Sequence, residues 1–406
     1  MSSSAQGSGS NQKTLNEALI AIFRLSRYEI NFEYQGRIEN SVPIALALLL
    51  RGYNHQSISD DLWKYLTRTL AKRTSLLEIL SPIGAPFETL TAVIGVTPQV
   101  SLTWQEVSDR IHHSVHLSRG IATWTRGMYV DLLIPMQLKG KTPTPASTST
   151  ASRNQALFKR KLLERDGSMS VVGGVMEESE VRDDMPDPPY GTSRLIAAHI
   201  IPFSASCRPR LRRLLSVFAG QSPRDMERLL TGENINDPSN GLLLDLESHQ
   251  AFDKYKFGLE CQDKHYSIRI LVARRFLPLI VRRHDDGEAV FFGQGPQDHA
   301  LPSPLFCNIH LAIGRVLHES GVARLIDEIQ QDENDLKDGH VEGDRWLAVS
   351  ASYLERELRG LQRDDDSSVD LEDYHTDTES QERFPFRMCT QNKNPNQHYP
   401  VDIGLY

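Results

Sequence analysis

A proline-, threonine- and serine-rich run, KGKTPTPASTSTAS at residues 139–152, constrains this chain before any other feature. It offers almost nothing to bury, and its composition favours an extended, solvated backbone. A chain of 406 residues with such a break is expected to form more than one core. Before the break the sequence reads as helical. TLNEALIAIFRLSRYEI places an apolar stripe after a threonine cap, and SISDDLWKYLTRTLAKRTSLLEIL follows a Ser-x-x-Asp signal with apolar residues at helical spacing. Further helices are expected over 104–116 and 128–134. After the break the pattern is mixed. NQALFKRKLLERDG is an expected helix ended at Gly167, MSVVGGV a short strand running into a turn, and MEESEVRDDMPDPPYGT an acidic loop. SRLIAAHII is a strand stopped by Pro202, SPRDMERLLTG a short helix, KHYSIRILV a further strand, and 303–330 an amphipathic helical region.

Charge is distributed unevenly. The net charge is −8, yet residues 152–286 carry 21 Lys+Arg against 19 Asp+Glu, whereas 319–383 carry 7 against 20. The acidity therefore sits in a C-terminal segment, and the middle stays open to a polyanionic ligand. That segment, with QRDDDSSVDLEDYHTDTESQER, has few large apolar residues and reads as disordered. It is expected to be a solvated tail, with self-inhibition of a basic groove as the alternative. The four cysteines are widely spaced with no CxxC pair, which argues against a cysteine zinc site or a disulfide framework. No membrane-length apolar run and no secretory leader are visible, so an intracellular setting, nucleus or cytoplasm, is expected.

Three short motifs carry the chemistry. In RLIAAHIIP, strand alternation puts Leu195, Ala197, His199 and Ile201 on one face. Asn240 opens a second strand, NGLLLDL, with Gly241 expected to permit a tight turn. His249 and Asp253 follow, at the i, i+4 spacing that places both on one face of a helix beginning near Glu247. The order is strand with His, loop, strand opened by Asn, helix with His.

AHIIP (198–202), NGLLL (240–244) and HQAFD (249–253), with LLERDGSMSVVGGV upstream, resemble the HNH endonuclease superfamily, and most closely a branch common in filamentous fungi. The resemblance covers roughly residues 155–265. It implies an α+β chain whose central ββα-metal domain is flanked by mainly helical N- and C-terminal regions. It also implies a metal-dependent endonuclease that hydrolyses nucleic-acid phosphodiesters, DNA before RNA. His199 is then the general base. Asn240 orients the hairpin or lends its carbonyl to the metal. His249 is a metal ligand, and Asp253 is a second ligand or orients the ion. One divalent cation, Mg, Mn, Ni or Zn, relieves charge on the phosphorane and the leaving oxygen, while a histidine takes the proton of the attacking water. Two positions depart from the family: Ala198 stands where many members have a ligand, and Ser170 where a cysteine is frequent.

The expected organisation is a disordered N-terminus at 1–13, a helical domain at 14–138, the linker at 139–152, the HNH-like domain at 153–286, a helical region at 287–330, an acidic, largely disordered segment at 331–383 and a tail at 384–406. Arg208, Arg210, Arg212 and Arg213, in the loop between the motifs, are candidate nucleic-acid contacts or a solvated helix start, and the arginine pairs at 274–275 and 282–283 add to the basic character. His112 and His116 read as helix surface. The alternative class is a catalytically weak or inactive HNH-like module that binds nucleic acid or protein. A third is a helical regulatory protein whose central domain is a scaffold.

Overall fold

The computed structural model describes residues 15, 18–23, 30–34, 37–71, 115–138, 148–181, 187 and 190–337. All of them fall in one compact unit, residues 1–350. The expected N-terminal disorder, the helix over 104–114, most of the linker and nearly all of the acidic segment and tail lie outside the described residues.

A hairpin of β1 (Asn31–Tyr34) and β2 (Arg37–Asn40) leads directly into α1 (Ser41–Arg51). Asn40 makes the junction, because its Oδ1 accepts from Val42 N at 3.0 Å and satisfies an otherwise orphaned first-turn donor. Helices α2 (His55–Ala71) and α3 (Val115–Met128) follow, α3 being prolonged by a π turn at Tyr129–Leu133 and a last turn at Ile134–Gln137. Then come α4 (Thr148–Asp166), the short parallel pair β3 (Met176–Glu177) and β4 (Thr192–Ser193), and β5 (Ile196–His199). Helices α5 (Pro209–Ala219) and α6 (Pro223–Leu230) fill the long connection to β6 (Gly241–Leu244). Helix α7 (Leu246–Asp253), the sheet β7 (Phe257–Gln262), β8 (His265–Ile270) and β9 (Ala289–Val290), and helices α8 (Pro304–Glu319) and α9 (Val322–Lys337) complete it.

One apolar core runs through these elements. It joins Leu48 and Leu62 of the first helices and Leu132 of the π turn to Leu215, Phe252, Leu259, Ile313 and Leu317. The expected strand at MSVVGGV forms instead a turn closed by a single Met169–Met176 bridge, and regular pairing is confined to Met176 and Glu177. The reason is local: Gly174 takes φ +61, and Ser170 Oγ accepts from Gly173 N at 3.1 Å. Among the described residues no helix is long and apolar enough to cross a membrane.

Candidate functional site

β5 and β6 pair antiparallel in the register Ile196–Leu244 to His199–Gly241. The two faces of this pair meet different partners. Leu195, Ala197 and Leu243 form a small cluster with Phe158 and Leu162 of α4, while Ala198, Leu242 and Leu244 join the main core with Ala251 and Phe252 of α7. His199 belongs to the α4 side, where its ring stacks on Phe158 at 4.5 Å between centroids and 14° between planes. Its Nε2 lies 2.9 Å from Asn236 Oδ1. A proton on Nε2 donates to that oxygen, and this tautomer leaves Nδ1 as the nitrogen with the lone pair. The expected role of Gly241 needs revision. Its φ of −132° is extended backbone that any residue adopts. Glycine is needed there because a Cβ would sit 2.5 Å from Phe158 Cζ and 2.9 Å from Leu162 Cδ1.

Asn240 is wholly buried and works entirely through hydrogen bonds. Its Oδ1 accepts from Ile201 N at 2.8 Å, and its Nδ2 donates to Ile201 O and Ile235 O at 3.0 Å each. Its backbone carbonyl also accepts from Ile200 N at 2.9 Å. The residue therefore clamps the chain just beyond His199 to the turn that opens β6.

Beneath this turn lies Arg165, 0% exposed. Its Nε and Nη2 grip both Asp166 carboxylate oxygens at 2.9 and 2.8 Å. Its remaining donors reach Pro238 O at 2.8 Å, Gly241 O at 3.0 Å and Ala300 O at 3.2 Å. A guanidinium has five N–H groups, and all five are used.

Helix α7 starts at Asp245, whose Oδ1 accepts from Ser248 N at 2.9 Å, while Ser170 Oγ approaches Oδ2 at 3.4 Å. It ends where Tyr255 takes φ +52. Tyr255 N bonds Phe252 O at 3.0 Å and Lys256 N bonds Ala251 O at 2.9 Å, the pairing of a Schellman cap with tyrosine in the usual glycine position. The ring compensates the backbone: it is buried, and its hydroxyl donates to Met136 O at 3.1 Å. Burial first, and the Asp253 carboxylate second, hold the Tyr255 phenol well above its ordinary pKa. His310 of α8 is sandwiched between Phe252 at 3.9 Å and Tyr255 at 4.3 Å, so α7 is braced from below. On its half-buried side, His249 Nε2 and Asp253 Oδ2 stand 3.3 Å apart.

The structure thus brings His249 together with Asp253, and His199 together with Asn236 and Phe158. Among the described residues no three His, Cys, Asp or Glu side chains converge as a metal-holding group. The His249–Asp253 separation equals that of two ligands on one small divalent ion with bonds of about 2.0–2.2 Å. The pair therefore fits as a partial donor set of one nitrogen and one oxygen, with water or substrate oxygens completing it. The four arginines expected in the loop sit instead at the start of α5, Arg208 as its N-cap and the others within it; Arg210 is exposed and Arg208 and Arg213 are half-buried. Arg212 is turned inward, donating to Ala205 O at 3.0 Å and Ser206 O at 2.6 Å, with Glu227 at 3.5 Å. Phe158, Arg165 and Asn236 emerge as site residues only from the structure. An arginine–aspartate pair at the end of a helix before Gly167 was the one signal available for Arg165.

Residues 174–260 match the HNH endonuclease family. No curated protein and no solved structure matches the chain.

Proposed function

We propose, from the HNH endonuclease match over residues 174–260, that the β5–β6 pair and α7 form a ββα-metal core that hydrolyses nucleic-acid phosphodiesters. The observation that carries this reading is that the family match spans the turn where His199, Asn236 and Asn240 are held together by hydrogen bonds. His199 Nδ1 takes the proton of a water whose oxygen bonds to phosphorus, and the bond from phosphorus to the leaving sugar oxygen breaks. Asn236 holds the imidazole in the required tautomer, Phe158 fixes the plane of the ring, and Asn240 keeps the strand end in register. His249 and Asp253 would hold one divalent ion, Mg, Mn, Ni or Zn. When bound, it supplies charge relief at the phosphoryl and leaving oxygens. DNA is the first substrate to test, and the four-arginine stretch at 208–213 supplies Arg210 as the exposed phosphate contact.

The experiment is incubation of the purified chain with supercoiled plasmid and Mg, Mn, Ni or Zn, beside chelator and His199→Ala controls. Nicking is expected with metal only, and a drop of about 100-fold or more in His199→Ala. Equal nicking by wild type and His199→Ala, or none with any metal, overturns the enzyme reading. The second reading, an HNH-like module that binds without cutting, is favoured by Ala198 facing the core and by the two-residue donor set. It predicts nucleic-acid binding with no nicking.

A further inference from the structure

The chain beyond the family match folds back over α7. Lys256 Nζ donates to Phe276 O at 2.8 Å, and Leu271 N bonds Lys256 O at 3.0 Å. Ile280 packs where a Cβ on Gly173 would lie 2.9 Å from both Ile280 Cδ1 and Asp245 Oδ2, the carboxylate that caps α7. His284 Nε2 bonds Val172 O. The segment 274–284 therefore borders both ends of the helix that carries His249 and Asp253.

Its surface is unusual in composition. Phe276 is 55% exposed, Leu279 72% and the neighbouring Tyr190 55%. The Arg275 guanidinium lies over the Phe276 ring at 4.9 Å, and that of Arg283 over Tyr190 at 5.0 Å. The acids of the adjoining turn are already engaged: Asp285 with Arg274, Asp286 with Arg269 and Glu288 with His284. Arg282 donates to Leu277 O and Arg275 O, at 2.6 Å each, and so shapes the turn. Among the described residues, no carboxylate comes within ion-pair distance of Arg275 or Arg283.

We propose that this strip binds a single nucleic-acid strand, with bases stacking on Phe276 and Tyr190 and phosphates held by Arg275 and Arg283. Two exposed rings, each paired with a cation that lacks a carboxylate partner among the described residues, present the two chemistries that a strand with unstacked bases offers. A closed duplex hides its base faces, so the rings discriminate while the arginines serve both forms. Leu279 supplies an apolar margin. The proposal rests on the nuclease reading and gives it a substrate preference: strands that are single or locally opened beside the His249 helix.

The test is fluorescence anisotropy of the full chain with a labelled single-stranded oligonucleotide and with the matching blunt duplex, over a salt series. Wild type is expected to bind the single strand more tightly. Tyr190→Ala/Phe276→Ala should weaken single-strand binding by about tenfold per ring, and duplex binding by less than about threefold. Arg275→Gln/Arg283→Gln should weaken both forms and lower the slope of log affinity against log salt by about 1.4 for the single strand. All four side chains lie on the surface, and unchanged thermal unfolding verifies the fold of each variant. Single-strand binding by the ring variant within about twofold of wild type overturns the proposal, and if plasmid nicking persists the nuclease reading stands without it. Tighter binding by the arginine variant also overturns it, marking the strip as a seat for an acidic stretch of the same chain. Wild type binding neither form at low salt removes both readings.

Discussion

Replacing Asp166 by alanine strands the Arg165 guanidinium away from bulk solvent. The residue is 0% exposed, and two of its five donors lose their acceptor while the other three keep backbone carbonyls at 2.8–3.2 Å. Breaking one side of a buried ion pair costs about 3–5 kcal/mol, because the remaining charge stays desolvated. With a urea slope of about 3 kcal/mol/M, the unfolding midpoint should fall by about 1–1.7 M. Arg165→Met should also be severe, since it withdraws the guanidinium donors from the carbonyls of Gly241 and Ala300, leaves Pro238 O with Gly241 N, and leaves the Asp166 carboxylate with Gly293 N at 3.3 Å. The pair logic adds a sharper expectation. Arg165→Met/Asp166→Leu removes both charges at once, so its cost should fall short of the sum of the singles by at least about 2 kcal/mol. Urea titrations of wild type, both singles and the double variant measure this. A midpoint shift under about 0.3 M for Asp166→Ala, or additivity within about 0.5 kcal/mol, would refute the view that the five-donor centre holds the turn.

Two further outcomes follow from neighbouring groups. Asn240→Asp keeps the acceptor for Ile201 N but turns an oxygen toward the carbonyls of Ile201 and Ile235, so it should destabilise by about 2–4 kcal/mol and at least as much as Asn240→Ala, read from thermal unfolding. His318 has its pKa lowered from 6.5, first by burial, against the opposing pull of its hydrogen bond to Tyr255 O and of Asp327. Below about pH 6.5 the unfolded chain therefore binds this proton more readily than the folded one, and stability is lost as pH falls from there toward the folded pKa. His318→Gln keeps a donor for Tyr255 O and should lose less stability than wild type between about pH 7 and 5, measured by urea midpoints at each pH.

What the sequence makes legible is what repeats or is punctuated. The alternation in RLIAAHIIP places Leu195, Ala197, His199 and Ile201 on one face; the structure sets the first three against α4, whereas Ile201, beyond the end of β5, joins the main core. The i, i+4 pair of His249 and Asp253 announces α7, which begins one residue before the expected Glu247. Three things were not legible. Gly241 looks like a turn glycine but is a clearance glycine, because the Phe158 ring that demands the space comes from a helix far away in sequence. The end of α7 carries no glycine, since Tyr255 takes the left-handed conformation at a cost of about 1–2 kcal/mol that its buried ring offsets. Asn236 sits in a polar loop among other turn residues, and nothing local distinguishes the one amide that faces His199.

A guanidinium with every donor committed has no freedom left to give up when a ligand arrives. The Pro238–Gly241 turn, tied by Arg165 from beneath and by Asn240 from within, has met its ordering entropy during folding. Whatever binds beside His199 meets a preorganised wall, so its binding free energy is not diminished by arranging that wall. Under the proposed function, adaptation to different nucleic-acid strands would fall to the exposed side chains Phe203, Arg210 and the 274–284 strip, and the hydrogen-bonded turn around the imidazole would stay fixed.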